Sequence, residues 1–287
     1  MSITLTDVSY VYMAGTPYER AALTNINLTV EPGEFVGIIG HTGSGKSTLV
    51  QHMNGLLKPT HGVAAVDGVD LAAKGEAARL ARRKVGMVFQ YPEHQLFEET
   101  IFDDVAFGPR NLGLGADEVE ARVKTALAFV GLDFAAFAKR SPFRLSGGQM
   151  RRVAIAGVVA LKPEYLVLDE PSAGLDPRGR DEIFAQIGRL QATTGVAVIL
   201  ISHNMEEVAR LVKRLVVMHD GAIGLDGPPR EIFRHRAQLQ AAGVDVPGVT
   251  ALMERLAAGG LAVDDTALSV EEAAASIAAA VRGRDAC

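Results

Sequence analysis

Gly40-His41-Thr42-Gly43-Ser44-Gly45-Lys46-Ser47 combines three flexible glycine positions, a lysine and a hydroxyl at the spacing of a phosphate-binding loop. The glycines let consecutive backbone N–H groups turn toward one anion, and a following helix adds its positive N-terminus. In that frame Lys46 reaches the β and γ phosphates of a nucleotide and Ser47 supplies an oxygen to Mg2+. A purely structural glycine turn gives no reason for Lys followed by Ser. The second constellation is Tyr165-Leu166-Val167-Leu168-Asp169-Glu170, an apolar strand ending in two carboxylates. Both acids then emerge at the carboxyl edge of a sheet, where ligands bind in open α/β folds. Asp169 is suited to hold Mg2+ through water, and Glu170 to polarise an attacking water. An acidic strand end is weak evidence alone, but downstream of a phosphate loop it points to metal-assisted phosphate chemistry.

These residues need a parallel sheet to hold them, and the apolar pattern supplies one. Residues 35–39 form a continuous apolar run that ends in the glycine loop and is followed by a helical pattern over 47–57, the order strand, loop, helix that phosphate binding requires. Further buried strands are predicted at 85–89, 165–168, 196–202 and 215–219, with a crossover helix at 177–192. Alternating apolar residues at 3–12 and 22–30, closed by Pro32-Gly33, predict an antiparallel subdomain at the start, with a short strand pair near 63–69. The chain turns helical from 102 to about 161, interrupted by Pro109 and Pro142, which implies a helical insertion over about 91–163. Beyond Gly227-Pro228-Pro229 the composition becomes Ala-rich, and Ser269-Val270-Glu271-Glu272 predicts a capping box before a helix at 273–281. The expected organisation is thus a domain over 1–228 and a small helical extension over 229–287.

The bulk properties bound the function. The 287 residues exceed the roughly 150 expected per domain, so a large domain with an appendage fits. A net charge of −5 with no long basic run argues against a protein whose affinity comes from neutralising nucleic-acid phosphates. Cys287 is the sole cysteine, so neither a disulfide framework nor a Cys-based metal site is expected, and a reducing cytosol fits best. The N-terminus lacks the pattern of a signal peptide, and the longest apolar stretches, near 153–161 and 196–201, fall short of the roughly 18–20 residues a bilayer needs. Any membrane must belong to a partner.

Leu145-Ser146-Gly147-Gly148-Gln149 is the signature of ATP-binding-cassette (ABC) ATPases, and with it residues 1 to about 230 resemble that family. The resemblance implies an α/β P-loop NTPase fold: an antiparallel β subdomain, a RecA-like, mainly parallel core, an inserted helical subdomain and the C-terminal extension. It implies an ATPase with ATP and Mg2+ as cofactors. The nucleotide contacts would come from Tyr12, stacked on adenine, from the loop Gly40 to Thr48, and from Ser146, Gly147, Gly148 and Gln149. Ser146-Gly147-Gly148 before a long helix is also a second anion-binding N-terminus in a chain with one phosphate loop. In the family, a head-to-tail dimer closes the signature of one subunit over the γ-phosphate held by the other. Gln90 resembles the glutamine that contacts Mg2+ and the attacking water, joining Ser47 and Asp169 as metal ligands. His203 resembles the switch histidine, catalytic with Glu170, Lys46 and Gln90. Asp176, in Ser172-Ala173-Gly174-Leu175-Asp176, resembles the contact by which subunits sense each other's sites.

Within the family the chain is most similar to the second-type ATPase of energy-coupling-factor (ECF) transporters, importers of vitamins and transition-metal ions. The stretches that carry this are Gly40-His41-Thr42, the run Phe89-Gln90-Tyr91-Pro92-Glu93-His94-Gln95-Leu96-Phe97, the run Val105-Ala106-Phe107-Gly108-Pro109-Arg110-Asn111, and the twelve residues from Ser146 to Gly157. The partners implied are a second cassette ATPase, or the same chain in a homodimer, a transmembrane scaffold and a separate membrane protein that binds substrate, with no nucleic acid. The protein would sit peripherally on the cytoplasmic face of the membrane. Glu98, Glu99, Asp103 and Asp104 crowd the start of a helix and could hold an arginine from the scaffold, or could simply favour that helix N-terminus. The extension after 229 would contribute to subunit pairing. The alternative reading is a soluble cassette ATPase acting on nucleic acid or ribosomes. Such relatives typically carry two cassettes in one chain or long coiled-coil or zinc-bearing insertions, whereas this chain has one cassette, a short helical insertion, no Cys ligands and a net acidic charge.

Overall fold

The structure is a computed structural model that describes residues 1–285; Cys287 lies outside the described residues. Alternation builds the first sheet: β1 (Ile3–Tyr12) pairs antiparallel with β2 (Arg20–Val30), turning Ile3, Leu5 and Val8 inward. β3 (Phe35–Ile39) leaves for a second sheet, while β4 (His61–Val66) returns to β1 and β5 (Val69–Asp70) ends the order β2-β1-β4-β5. The second sheet takes β6 (Val85–Val88), β7 (Tyr165–Asp169), β8 (Ala197–Ile201), β9 (Arg214–His219) and β10 (Ala222–Gly227), in the order β10-β9-β3-β8-β7-β6. All its pairings are parallel except β9 with β10. Every residue of β3, β6, β7 and β8 is buried, which is why these strands read as unbroken apolar runs.

The period of two distributes that burial between two cores. Val36, Ile38, Val167 and Ile199 face the N-terminal sheet and α1 (Lys46–Met53), while Phe35, Ile39, Leu166, Leu168 and Leu200 face the helices of the insertion and beyond. After α2 (Glu76–Arg83), the insertion contains α3 (Ile101–Asn111), α4 (Ala116–Phe129), α5 (Phe134–Phe137) and α6 (Gly147–Val159). Pro109 does not interrupt α3 but sits in its last turn, with only Arg110 and Asn111 of the helix beyond it; Pro142 opens a short 3-10 turn, Pro142–Arg144. α7 (Pro177–Thr194) is the crossover helix between β7 and β8, and α8 (Met205–Leu211) joins β8 to β9.

The C-terminal segment folds as α9 (Pro229–Ile232), α10 (Arg236–Ala241), α11 (Gly248–Ala258) and α12 (Val270–Asp285). Its first part packs into the main core through Phe233, Leu239, Ala242 and Val244, whereas Met253, Ala267 and Ala273 make a small core of their own. The composition change at 227–229 therefore marks the end of β10, and the change of core comes later. Ser269 Oγ accepts from the Glu272 N–H at 3.1 Å, but the Glu272 carboxylate accepts from Leu268 N–H instead of closing a full capping box on Ser269. Among the described residues, no helix is long and apolar enough to cross a membrane.

Candidate functional site

Parallel pairing aligns the strand ends. Val88 lies beside Leu168, Asp169 beside Ile201, and Ile38 beside Ile201, so the residues that follow β3, β6, β7 and β8 emerge at one edge. There Tyr12, the phosphate loop, Thr48, Gln90, Glu170 and His203 line a cleft of about 310 Å³. A larger, mostly apolar hollow of about 550 Å³ opens at the opposite edge beside Pro163 and Tyr165, away from this chemistry.

Two glycines of the loop are sterically required. Gly40 has φ +152°, and a Cβ there would lie 2.3 Å from the Met218 carbonyl oxygen; at Gly45, φ +100°, it would lie 2.6 Å from the Ala22 carbonyl oxygen. Lys46 folds back over its own loop, with Nζ donating to the Gly40 and His41 carbonyls at 2.8 and 2.9 Å. Burial lowers its pKa, while the Glu170 and Asp169 carboxylates pull it back up. Ser44 Oγ is buried without a hydrogen-bond partner among the described residues. Tyr12 lies at the lip, its hydroxyl 3.2 Å from Thr48 Oγ1, while Tyr10 packs inward on His52 with ring centroids 4.9 Å apart. Of the two tyrosines, only Tyr12 lines the cleft.

Ser47 hydrogen-bonds to Asp169, a carboxylate only 5% exposed. Burial raises the Asp169 pKa, opposed by that hydrogen bond and by the Lys46 charge. These hard oxygens, with the Gln90 amide in the same cleft, form a donor set that suits Mg2+. Glu170 takes a left-handed backbone, φ +53°, held by its N–H donating to the Ile201 carbonyl at 3.0 Å. A non-glycine residue in that region is uncommon, and Glu170 is one of the residues that line the cleft. Its carboxylate contacts His203 Nε2. Burial raises the Glu170 pKa; the His203 interaction opposes it, Asp169 adds to it, and Lys46 opposes it.

Ser146 is the N-cap of α6 in a closed capping box: its Oγ accepts from Gln149 N–H at 3.3 Å and its own N–H donates to Gln149 Oε1 at 3.2 Å. Gly147 and Gly148 open the helix without side chains to cover its N–H groups. No signature residue lines the cleft around the phosphate loop, so within one chain the loop and the start of α6 stand apart. Asp176 is the N-cap of α7, accepting from Gly179 N–H at 3.0 Å.

The family model described as "ABC transporter" matches residues 23–173, more than half of the chain. The chain belongs to the ABC transporter family. It is 54% identical over 99% of its length to the energy-coupling factor transporter ATP-binding protein EcfA2 of Symbiobacterium thermophilum, covering 98% of that protein. It is 49% identical over 99% of its length to the EcfA2 of Clostridium perfringens, covering all of it. Among solved structures, cbiO1 from Clostridium perfringens, part of the ABC transporter complex cbiONQ, superposes with a TM-score of 0.73 at 36% identity, over 88% of this chain and 98% of that one. The ATP-binding cassette MJ0796, in a dimeric post-hydrolysis state with ADP and Pi, gives 0.71 at 30% identity, over 79% and 98%. Family and cleft together make the chain an ATP-binding ABC ATPase.

In this ABC ATPase the four acids near α3 separate into two pairs. Asp103 accepts from Thr100 and is paired with Arg110 at 3.0 Å, and Asp104 accepts from the Phe97 and Glu98 N–H groups, so both organise the helix start. Glu98 and Glu99 have no side-chain partner among the described residues. Burial raises the Asp104 pKa against those two N–H donors. Sequence reasoning missed the link between the glutamine loop and the signature helix: Arg151, 3% exposed, grips the Glu93 carboxylate with Nε and Nη2, each at 3.2 Å. Both residues lie in the runs that carry the family resemblance, but no spacing pairs positions 58 apart. It also missed Glu207, buried under Ser202 and Ser172, whose hydroxyls donate to it at 2.9 and 3.3 Å. Arg180 Nε lies 3.3 Å from its other oxygen, near enough to pair in charge but not aligned as a hydrogen bond.

Proposed function

We propose that this chain is the ATP-hydrolysing, energy-coupling subunit of an ECF-type importer for a vitamin or a transition-metal ion. The observation that carries the reading is near-full-length identity, C-terminal segment included, to relatives named as ECF transporter ATP-binding proteins, combined with a cleft in which Glu170 and His203 stand over Lys46. Tyr12 stacks on the base, and the loop from Gly40 to Thr48 wraps the phosphates. Lys46 exchanges its two carbonyl partners for β and γ oxygens. Ser47, Asp169 and Gln90 would hold Mg2+, which when bound neutralises charge on the phosphates. Glu170, its carboxylate made more basic by burial, takes the proton of the attacking water, and His203 holds the γ-phosphate.

Because the signature lies outside its own cleft, a complete site needs Ser146, Gly147, Gly148 and Gln149 from a second cassette, with Asp176 near the seam. The cassette would pair with a second ATPase or with itself on the cytoplasmic face of the membrane. Glu98 and Glu99 are the acids free to meet a basic segment of a transmembrane scaffold, and substrate would be bound by a separate membrane protein. The test is affinity capture of the tagged chain from detergent-solubilised native membranes. Recovery of a second cassette ATPase and a multi-spanning scaffold, with ATPase activity, is the expected result. Recovery of nucleic acid or ribosomal proteins in their place would overturn the importer reading.

A further inference from the structure

His41, the second residue of the phosphate loop, faces the turn between β9 and β10, and the meeting leaves three ligating groups together. Asp220-Gly221 makes that two-residue turn, with Asp220 at φ +45° and Gly221 at +78°, both left-handed as a tight hairpin requires. The Asp220 carboxylate sits between two imidazoles: Oδ1 is 3.5 Å from His41 Nε2 and Oδ2 is 3.4 Å from His219 Nε2. One ligand atom from each of the three residues can be chosen so that all lie within 4.8 Å of one another.

The hydrogen bonding decides what these atoms can accept. His41 Nδ1 is 2.8 Å from the Thr42 carbonyl oxygen, which only accepts, so Nδ1 carries the proton. Nε2 then faces the Asp220 carboxylate, and either a second proton or a bridging cation satisfies that meeting. Nδ1 of His219 is buried without a partner, which leaves Nε2 as that ring's accessible ligand atom. Separations of 3.4 and 3.5 Å are long for hydrogen bonds. Each is near the roughly 3.3 Å edge of a tetrahedron with metal bonds of about 2.0–2.1 Å, but they run to different oxygens of Asp220, so a shared metal would draw the three ligand atoms, now within 4.8 Å of one another, closer together. Two imidazoles and one carboxylate suit a borderline divalent transition ion over Mg2+ or Ca2+, and they leave a fourth position for water.

The position links this site to the nucleotide. The His41 carbonyl accepts from Lys46 Nζ, and its N–H donates to the Ala242 carbonyl at 3.2 Å. A Cβ on Gly243 would lie 3.0 Å from His41 Cβ, so the end of α10 is packed on the same residue. Phosphate loop, hairpin turn and C-terminal segment converge on His41. We propose that His41, His219 and Asp220 bind a divalent transition-metal ion of the Zn2+ class, and that occupancy ties the phosphate loop to the hairpin and slows ATP turnover. The inference goes beyond the transport reading and stands if that reading fails.

The test uses the full chain, tag removed, in a Cys287→Ser background so that no thiol competes for metal. Zn2+ is titrated calorimetrically in excess Mg2+ without nucleotide, and ATP turnover is then measured at buffered free Zn2+. The parent chain is expected to bind one equivalent, and His219→Ala and Asp220→Asn each to weaken binding by about 10–100-fold. Both variants lie outside the hydrolytic residues, so they keep basal turnover and lose its slowing by Zn2+. Asn tolerates the left-handed backbone at position 220, so its loss of binding reports the ligand and not the turn. Absence of a stoichiometric equivalent, or equal affinity in parent and variants, overturns the site. Stoichiometric binding with unchanged turnover overturns the restraint on the loop.

Discussion

Arg151→Met should cost far more than an ordinary surface substitution, because it breaks a buried ion pair between the turn that follows Gln90 and the signature helix. Arg151 has a side chain 4% exposed and Glu93 17%, and the pair is bidentate. Removing one partner of a buried pair costs about 3–5 kcal/mol, chiefly by stranding the other charge. Glu93 keeps some access to water, which lowers the expectation to about 2–3 kcal/mol, and methionine preserves the packing of the arginine stem. At roughly 2–4 °C per kcal/mol for a domain of this class, thermal unfolding should shift down by about 4–12 °C. Circular dichroism melts of the full chain measure it. The decisive comparison is Glu93→Gln combined with Arg151→Met: with no charge left stranded, the double variant should recover at least half of the loss. A single variant within about 0.5 kcal/mol of the parent, or a double variant no more stable than the single, would refute the stranded-charge reasoning.

The other expectations concern hydrolysis, pH and the C-terminal segment. Glu170→Gln should retain ATP binding and slow hydrolysis by about 10²–10⁴-fold, measured as phosphate release beside equilibrium nucleotide binding; a normal rate would assign the base elsewhere. The Asp104 carboxyl is raised in the fold, so its contribution to stability is full below its unfolded pKa and is lost as pH rises through the folded value. The melting temperature of Asp104→Asn relative to the parent should therefore increase between pH 4 and pH 7, and a difference independent of pH would contradict the burial that causes the shift. A chain ending at Gly227 strips Phe233, Leu239 and Val244 from the main core and should unfold far more readily. One ending at Val246 removes the small separate core and, from the main one, only the partly buried Leu268, and should keep the cassette's nucleotide affinity, measured by fluorescent-nucleotide titration.

The phosphate loop was legible because its requirements are local. Eight contiguous residues specify backbone shape, charge and metal oxygen, and the φ values at Gly40 and Gly45 are those that exclude a Cβ. The acidic end of β7 and the cap of α6 were legible for the same reason, since strand period and capping chemistry act over a few residues. Helix boundaries were less so: Pro109 reads as a break, yet it is accommodated in the last turn of α3. The Ala-rich composition after 229 suggested one separate element, whereas Phe233 and Leu239 lie in the main core, because composition does not say which surface an apolar side chain will find.

What the sequence determined by itself was therefore the chemistry of each segment: a phosphate cradle, two carboxylates and a second anion-binding helix start. Which segments meet was decided by the tertiary structure. Placing β3 between β9 and β8 sets His41 beside Asp220 and lines the loop up with Glu170 and His203, and folding the insertion over β6 brings Glu93 to Arg151. These pairs lie tens to well over a hundred residues apart, with no shared period or motif. Their approach follows from strand order and two-sided burial, which depend on the whole chain packing at once.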